Sequence, residues 1–230
     1  MRLPSRTVRW PVSLATNRLL LRPIERADVA TLSLVWTDPD VRRYLGGPVS
    51  GAALSTREEA CVGHFGAFGV VRSTDRAVLG LVSVEPRSRW QGRTEVSYQL
   101  LPAHWGRGYG REAVGAVVAW ALGEADFEPA GVVAVTQEAN HRSRRLLESV
   151  GMSLIDHVVE WDARQVVYAL DRASTQADLP AVRSGTAGRL TSRFDPDVRI
   201  GHGRIVALEN HHSDQGDDRR DDEEDAEGGV

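Results

Sequence analysis

Three stretches with strand character, Phe68 to Val71, Val78 to Val84 and Glu95 to Leu101, follow one another with no helix between them. Only turn-like residues separate them, Ser73-Thr74-Asp75 and then Arg87 to Gly92. Strands grouped in runs do not build a doubly wound sheet; they build an α+β layer with a mostly antiparallel sheet. The rest of the chain fits that frame. Arg18 to Pro23 is a short strand stopped by proline. Asp28 is placed to cap a helix carrying Val29, Leu32, Val35 and Trp36, and Asp38-Pro39 opens a second that Gly46-Gly47-Pro48 ends. Ser55 to His64 reads as a third, with Ser55 and Glu58 in capping-box spacing. Beyond the strand run come a long amphipathic helix, Gly110 to Leu122, and a β-branched strand, Gly131 to Thr136. The helix Asn140 to Val150 is closed by Gly151, and the strands Ser153 to Trp161 and Arg164 to Leu170 pair around Asp162-Ala163.

One domain over residues 17–172 contains all of these elements. Residues 1–16 read as an irregular leader and residues 173–230 as a largely disordered tail, poor in large apolar groups, with one weak strand candidate at Ile200 to Leu208. The formal net charge of -4 hides an asymmetry. Nine acids and two arginines between Asp214 and Glu227 leave the first 213 residues at about +3. The body therefore carries no large basic field for nucleic acid. The best apolar run, Val114 to Leu122, falls short of the ~18 residues of a membrane span. A single cysteine, Cys61, excludes a disulfide framework and multi-cysteine zinc sites, and as a thiol it reads as inert and buried. His202, His211 and His212 lack regular metal spacing. A cytoplasmic protein with no metal, no membrane and no nucleic-acid partner is the expectation; a homodimer is allowed.

The chemistry concentrates between Glu95 and Ala113, where a strand runs into a glycine-rich turn and then a helix. Glycines at 106, 108 and 110 permit positive φ and close approach to a ligand. Turn N–H groups and the helix N-terminus make an anion site suited to phosphate or pyrophosphate, flanked by Arg107 and Arg111. A P-loop is excluded, because the chain contains no lysine. Gly108 to Ala113 satisfies the G-x-G-x-x-A pattern of dinucleotide folds, but the acid that should follow by about 20 residues lies 28 residues after Gly110, at Glu138. The turn also follows three strands without helices, so a nicotinamide-dependent reading is strained.

The segment Leu101-Pro-Ala-His-Trp-Gly106-Arg-Gly-Tyr-Gly-Arg-Glu-Ala113, followed by Asn140-His-Arg-Ser143-Arg-Arg-Leu-Leu-Glu-Ser-Val-Gly151, resembles the GCN5-related N-acetyltransferases, abbreviated GNAT. Together with Thr16-Asn-Arg-Leu-Leu-Leu-Arg-Pro23 it is most similar to their RimJ/RimL-type branch. The likeness covers residues 16–171 and not the tail. It implies a GNAT-like acyl-CoA N-acyltransferase fold, with a mixed, mostly antiparallel sheet flanked by helices. It also implies transfer of an acetyl group from acetyl-CoA, as co-substrate, to a primary amine, either a protein N-terminus or a small molecule. A non-catalytic acyl-CoA-binding module of the same fold is the alternative. The family's Q/R-x-x-G-x-G/A turn often carries Gln or Arg three residues before its first glycine, and that position is Trp105 here.

By the same resemblance the turn Gly106, Arg107, Gly108, Tyr109, Gly110, Arg111 holds the CoA pyrophosphate. Pantetheine lies between the strands Glu95 to Leu101 and Val132 to Thr136, bonded to backbone near Leu100 and Leu101. Asn140 binds the pantetheine arm and Ser143 stands near the sulfur, assisting thiolate protonation. An α-amino group, with a pKa near 8, is partly neutral at pH 7, so a base brings a moderate gain. Glu95, acting through water, is the candidate. Tyr98 is a rival proton donor, but three residues from Glu95 it points to the opposite face of a regular strand, which only a bulge would change. Asn140 also suits a plain helix cap. His104 reads as a surface loop residue, and Trp36, Arg42 and Tyr44 as shaping either an acceptor groove or a packed helix pair.

Overall fold

The computed structural model describes residues 10–86, 88–90, 92–123, 131–171 and 183–186. The strands are β1 (Val12–Ala15), β2 (Leu19–Pro23), β3 (Ala67–Arg72), β4 (Val78–Glu85), β5 (Thr94–Leu100), β6 (Val132–Gln137), β7 (Ser153–Glu160), β8 (Ala163–Leu170) and β9 (Arg183–Thr186). The helices are α1 (Val29–Thr37), α2 (Pro39–Arg42), α3 (Gly51–Ala60), α4 (Tyr109–Gly123) and α5 (His141–Ser149). The strands form one sheet in the order β7-β8-β6-β5-β4-β3-β2-β1-β9. Every neighbouring pair is antiparallel except β5 and β6. The expected α+β arrangement is the one observed.

Two apolar clusters cover the sheet. The larger joins Ala113, Val114, Val117, Val118, Trp120 and Ala121 of α4 to Leu21, Phe68, Val82, Val96 and Leu100 of the strands, with Leu147 of α5. Small residues on α4 let the helix lie close to the sheet, and Trp120 meets the Phe68 ring edge-on at 5.3 Å. The smaller cluster sets Leu32, Val35 and Trp36 of α1 with Cys61 against Ile24, Ala67 and Leu81. The spacing of Leu32, Val35 and Trp36 is the helical stripe visible in the sequence.

Helix α5 ends as expected: Gly151 adopts φ +88°, its N–H donates to Glu148 O at 3.0 Å, and Met152 N–H donates to Leu147 O at 3.1 Å, a Schellman closure. Asp38 caps α2, its Oδ1 accepting from the N–H groups of Asp40 and Val41 at 2.9 Å each. Asp28 does not cap α1 with its side chain; the buried carboxylate instead accepts from Glu25 N–H at 2.8 Å and pairs with Arg22. The third helix begins at Gly51, not Ser55, with Ser50 at its N-cap. Ser55 and Glu58 therefore form no capping box, and Glu58 accepts from Ser33 Oγ at 2.6 Å. This helix is mostly exposed and carries no apolar stripe to mark its start.

The stretch read as an irregular leader contributes β1, whose Val12 and Leu14 are buried. Four residues of alternation were too few to stand out. β1 pairs with β9 from Val12↔Thr186 to Ala15↔Arg183, so a segment of the expected tail also joins the sheet. The sequence Arg-Ser-Gly-Thr offers no apolar alternation to announce a strand. The closing hairpin turns at Trp161 and Asp162, both at positive φ, one residue before the expected Asp162-Ala163. The acidic run from Asp214 to Glu227, the strand expected at Ile200 to Leu208 and the three tail histidines lie outside the described residues.

Candidate active site

The parallel contact between β5 and β6 is short. It consists of Thr94↔Val132 and Glu95↔Val133, after which the strands diverge. On its far side β5 stays in register with β4 up to Gly80↔Leu100, and β6 with β8 up to Gln137↔Gln165. Each strand is thus paired along one edge only beyond the vertex, and a wedge opens in mid-sheet. A cleft of about 670 Å³ occupies it, lined by Val96 to Leu100 of β5, Ala134 to Thr136 of β6, the glycine-rich turn and α5.

At the cleft's edge Gly106 and Gly108 take φ of +72° and +78°, as the turn requires. Gly110 serves a different end. A Cβ there would stand 2.7 Å from Leu146 Cδ1, so its lack of a side chain leaves room for the Leu146 side chain where α4 meets α5. The N-terminus of α4, a helix of 15 residues, abuts the turn. Gly106, Gly108, Tyr109, Gly110 and Arg111 line the cleft, and Arg142 and Arg145 of α5 join them. Backbone N–H groups, a helix N-terminus and three arginines are a donor set that fits a pyrophosphate. Arg107 does not line the cleft and is exposed.

Trp105, the residue that departs from the family's polar position, is engaged twice. Its indole N–H donates to Leu100 O at 2.7 Å, and the Arg142 guanidinium lies 4.0 Å from its ring centroid. Leu100 lines the cleft, and its carbonyl accepts that indole N–H. Leu101 does not line the cleft, and its N–H donates to Leu79 O at 2.9 Å.

Asn140 caps α5, its Oδ1 accepting from Ser143 N–H at 3.1 Å, and both residues line the cleft. The Tyr98 hydroxyl lies 2.6 Å from Ser143 Oγ and 3.3 Å from Ser143 O. Burial pushes the Tyr98 phenol well above its ordinary pKa, against the opposing effect of the Ser143 hydrogen bond. The unbroken β4–β5 register keeps Tyr98 and Glu95 on opposite faces of β5, as expected. Tyr98 packs with the α4 cluster. Glu95 is buried at the vertex, opposite Glu85, and is not among the residues lining the cleft. The structure brings together the turn, Tyr98, Asn140 and Ser143; it sets Glu95 one strand face away.

His104 is half-buried and lines the cleft rather than standing free in a surface loop. Burial lowers its pKa, and the nearby Arg72 and Arg107 charges add to that. Trp36 and Arg42 are buried in the core and shape no groove, whereas Tyr44 does line the cleft with Asp40 and Arg43. Arg42 donates to the carbonyls of Gly47 and Leu45, and burial, with Arg57 nearby, brings its pKa down to about 10. Cys61 is fully buried, its thiol pushed up to about 11 by burial. The contributions of Arg142 and Arg145 were not read from the sequence, although the basic run after the Asn140 cap signals them.

Residues 18–153 match the family model described as acetyltransferase (GNAT) domain, which is more than half of the chain. The chain belongs to the GNAT acetyltransferases. This GNAT chain is 24% identical over 147 residues to the uncharacterized N-acetyltransferase YoaA of Bacillus subtilis strain 168, covering 60% of the chain and 81% of the relative. Among solved structures it is similar to a GNAT-family acetyltransferase from Bacillus anthracis, with TM-score 0.63, 20% identity and coverage of 70% and 99% of the two chains. It also shares its fold with a spermidine N-acetyltransferase from Vibrio cholerae solved with CoA and spermine, with TM-score 0.60, 16% identity and coverage of 69% and 98%. The GNAT enzyme accordingly uses acetyl-CoA as co-substrate. Among the described residues no cluster of metal-ligating side chains is present, and no helix is long and apolar enough to cross a membrane.

Proposed function

We propose that the chain is a RimJ/RimL-type enzyme that moves the acetyl group of acetyl-CoA directly onto a primary amine, with no covalent enzyme intermediate. The observation that carries this reading is the Tyr98–Ser143 pair inside the wedge, with the glycine-rich turn at the cleft's outer edge. The turn N–H groups, Arg111, Arg142 and Arg145 hold the phosphates, and the thioester arm runs between β5 and β6 toward the vertex. The amine attacks the thioester carbonyl; a C–N bond forms and the C–S bond breaks. Ser143 gives its proton to the leaving sulfur and is reprotonated by Tyr98, which recovers its proton from water as CoA leaves. The buried phenol is a weak acid and holds its proton until that demand arises. Glu95 accepts the amine's proton through water from the other face of β5, where α1 and α3 also pack.

The acceptor end of the cleft favours a singly charged amine, such as a peptide N-terminus, over a polycation. Of the described residues lining the cleft, Asp40 supplies the carboxylate, and it is paired with Arg43 at 2.6 Å. Arg43 neutralises it, so the acceptor end carries no spare negative charge for a second ammonium group. The test is thiol release from acetyl-CoA in the presence of peptides with free N-termini, simple monoamines, and spermidine. Turnover on peptides or monoamines with none on spermidine supports the reading; preference for the polyamine refutes it.

A further inference from the structure

We infer that Arg18 is a positioning residue for the pyrophosphate-binding turn, a role that rests on acetyl-CoA as the donor. Arg18 follows the β1–β2 connection, 89 residues from the turn it touches. Its Nη1 donates to Arg107 O at 2.9 Å, in the centre of the turn. Its Nε donates to Glu112 Oε2 at 2.7 Å, and its backbone N–H to Glu112 Oε1 at 2.8 Å. Thr16 Oγ1 donates to the same Oε1 at 2.6 Å. The guanidinium lies 4.7 Å from the Tyr109 ring centroid, and its Nη2 stands 3.3 Å from where a Cβ on Gly108 would be. Arg18 thus spans from the first turn of α4 to the loop ahead of it and touches both glycine-turn neighbours.

A trans peptide is planar, so the carbonyl of one residue and the N–H of the next point in opposite directions. Holding Arg107 O toward Arg18 turns the Gly108 N–H away from Arg18. Gly108 lines the cleft and Arg107 does not; on our proposal the Gly108 N–H is the one offered to the phosphates. Gly108 has positive φ and no side chain to fix its plane, so an unheld 107–108 peptide would be free to flip and offer an oxygen to the phosphates. Arg18, neutralised by Glu112, sets the plane without adding net charge.

The test compares acetyl-CoA with S-acetylpantetheine, the same thioester arm without phosphates, on the wild-type chain, Arg18→Met and Arg18→Lys. Acetyl-CoA is titrated calorimetrically, and S-acetylpantetheine is measured by its inhibition of turnover or its displacement of CoA. In Arg18→Met the Kd for acetyl-CoA is expected to rise about tenfold or more, as for one lost charge-assisted hydrogen bond. S-acetylpantetheine is expected to stay within twofold. Arg18→Lys keeps the ion pair with Glu112 but cannot span to Arg107 O as well, so it shows a smaller loss confined to acetyl-CoA. That variant carries the comparison if Arg18→Met does not fold. Equal weakening of both ligands would make Arg18 merely structural and overturn the inference, as would an unchanged Kd for acetyl-CoA. A wild-type chain that binds no acetyl-CoA overturns the donor reading first and the positioning role with it.

Discussion

Replacing Glu112 by Ala removes the acceptor for three hydrogen bonds at once, from Thr16 Oγ1 at 2.6 Å, Arg18 N–H at 2.8 Å and Arg18 Nε at 2.7 Å. A hydrogen bond to a charged group contributes about 1.5–3 kcal/mol. The Arg18 side chain is 44% exposed and would be rehydrated, while the Glu112 side chain is 15% exposed. Its ion pair therefore counts near the surface value of at most about 1 kcal/mol. Adding the Thr16 and backbone bonds with their overlap gives a loss of about 2–4 kcal/mol. For a domain of this size that lowers the unfolding midpoint by about 4–16 °C. Glu112→Gln, which keeps an acceptor oxygen, should lose about 1 kcal/mol. The pH dependence follows from the direction of the Glu112 pKa. Burial pushes it up, but the hydrogen bonds from Thr16 and Arg18 and the Arg18 charge outweigh that and hold it below its ordinary value. A lowered folded pKa contributes stability that is present above the unfolded value and lost as pH falls through the folded one. The gap between wild type and Glu112→Gln is therefore full at pH 7 and closes below about pH 4. Thermal unfolding followed by circular dichroism at pH 7, 5 and 3.5 reads both effects. A Glu112→Ala midpoint within 1 °C of wild type at pH 7, or a gap that widens with acid, would refute the reasoning.

Four further outcomes are expected. Ser143→Ala and Tyr98→Phe should each lower kcat by about 10–100-fold with KM for acetyl-CoA within threefold, measured by thiol release, and the double variant should be little worse than either single one. Glu95→Gln should lower kcat at pH 7 by about tenfold or more while calorimetric affinity for acetyl-CoA is unchanged; unaltered turnover would remove Glu95 as base. Trp105→Phe loses the bond to Leu100 O and weakens the stack with Arg142, and should raise the Kd of acetyl-CoA by about three- to tenfold. Cys61, with its thiol at about 11, should resist aromatic disulfide reagents at pH 8 in the native state and react at once in denaturant; rapid native labelling would contradict its burial.

The fold was legible wherever apolar periodicity ran long enough. The Leu32-Val35-Trp36 stripe, the small-residue face of α4 and the run of strands β3 to β5 each carry a signal that packing then uses. Where burial is not what specifies an element, the sequence was silent. β9 is held by backbone pairing to β1, and α3 lies on the surface with Arg57 as its buried residue. The site was legible at the turn, because glycines at fixed spacing must serve backbone geometry. It was not legible at Arg18 and Glu112, 94 residues apart, because nothing local distinguishes an ion pair across the fold from two solvated charges. Glu95 shows the opposite limit. Strand alternation correctly gave its face relative to Tyr98, but not that the vertex would bury it.

Beyond Glu95 and Val133 the wedge gives this sheet two inward-facing edges, strands that look at each other without pairing. Edges of that kind ordinarily invite a foreign strand. Here they are roofed by α4 and α5, and the Trp105 indole occupies Leu100 O at the mouth. On the proposed seating of the thioester arm, a ligand carrying its own amides along its length would stitch β5 to β6 as a strand would. Cohesion of the two sheet halves then depends on donor occupancy. Alternate amides of β5, those turned away from β4, should exchange with solvent more slowly when acetyl-CoA is bound, while their neighbours bonded to β4 keep the same rate.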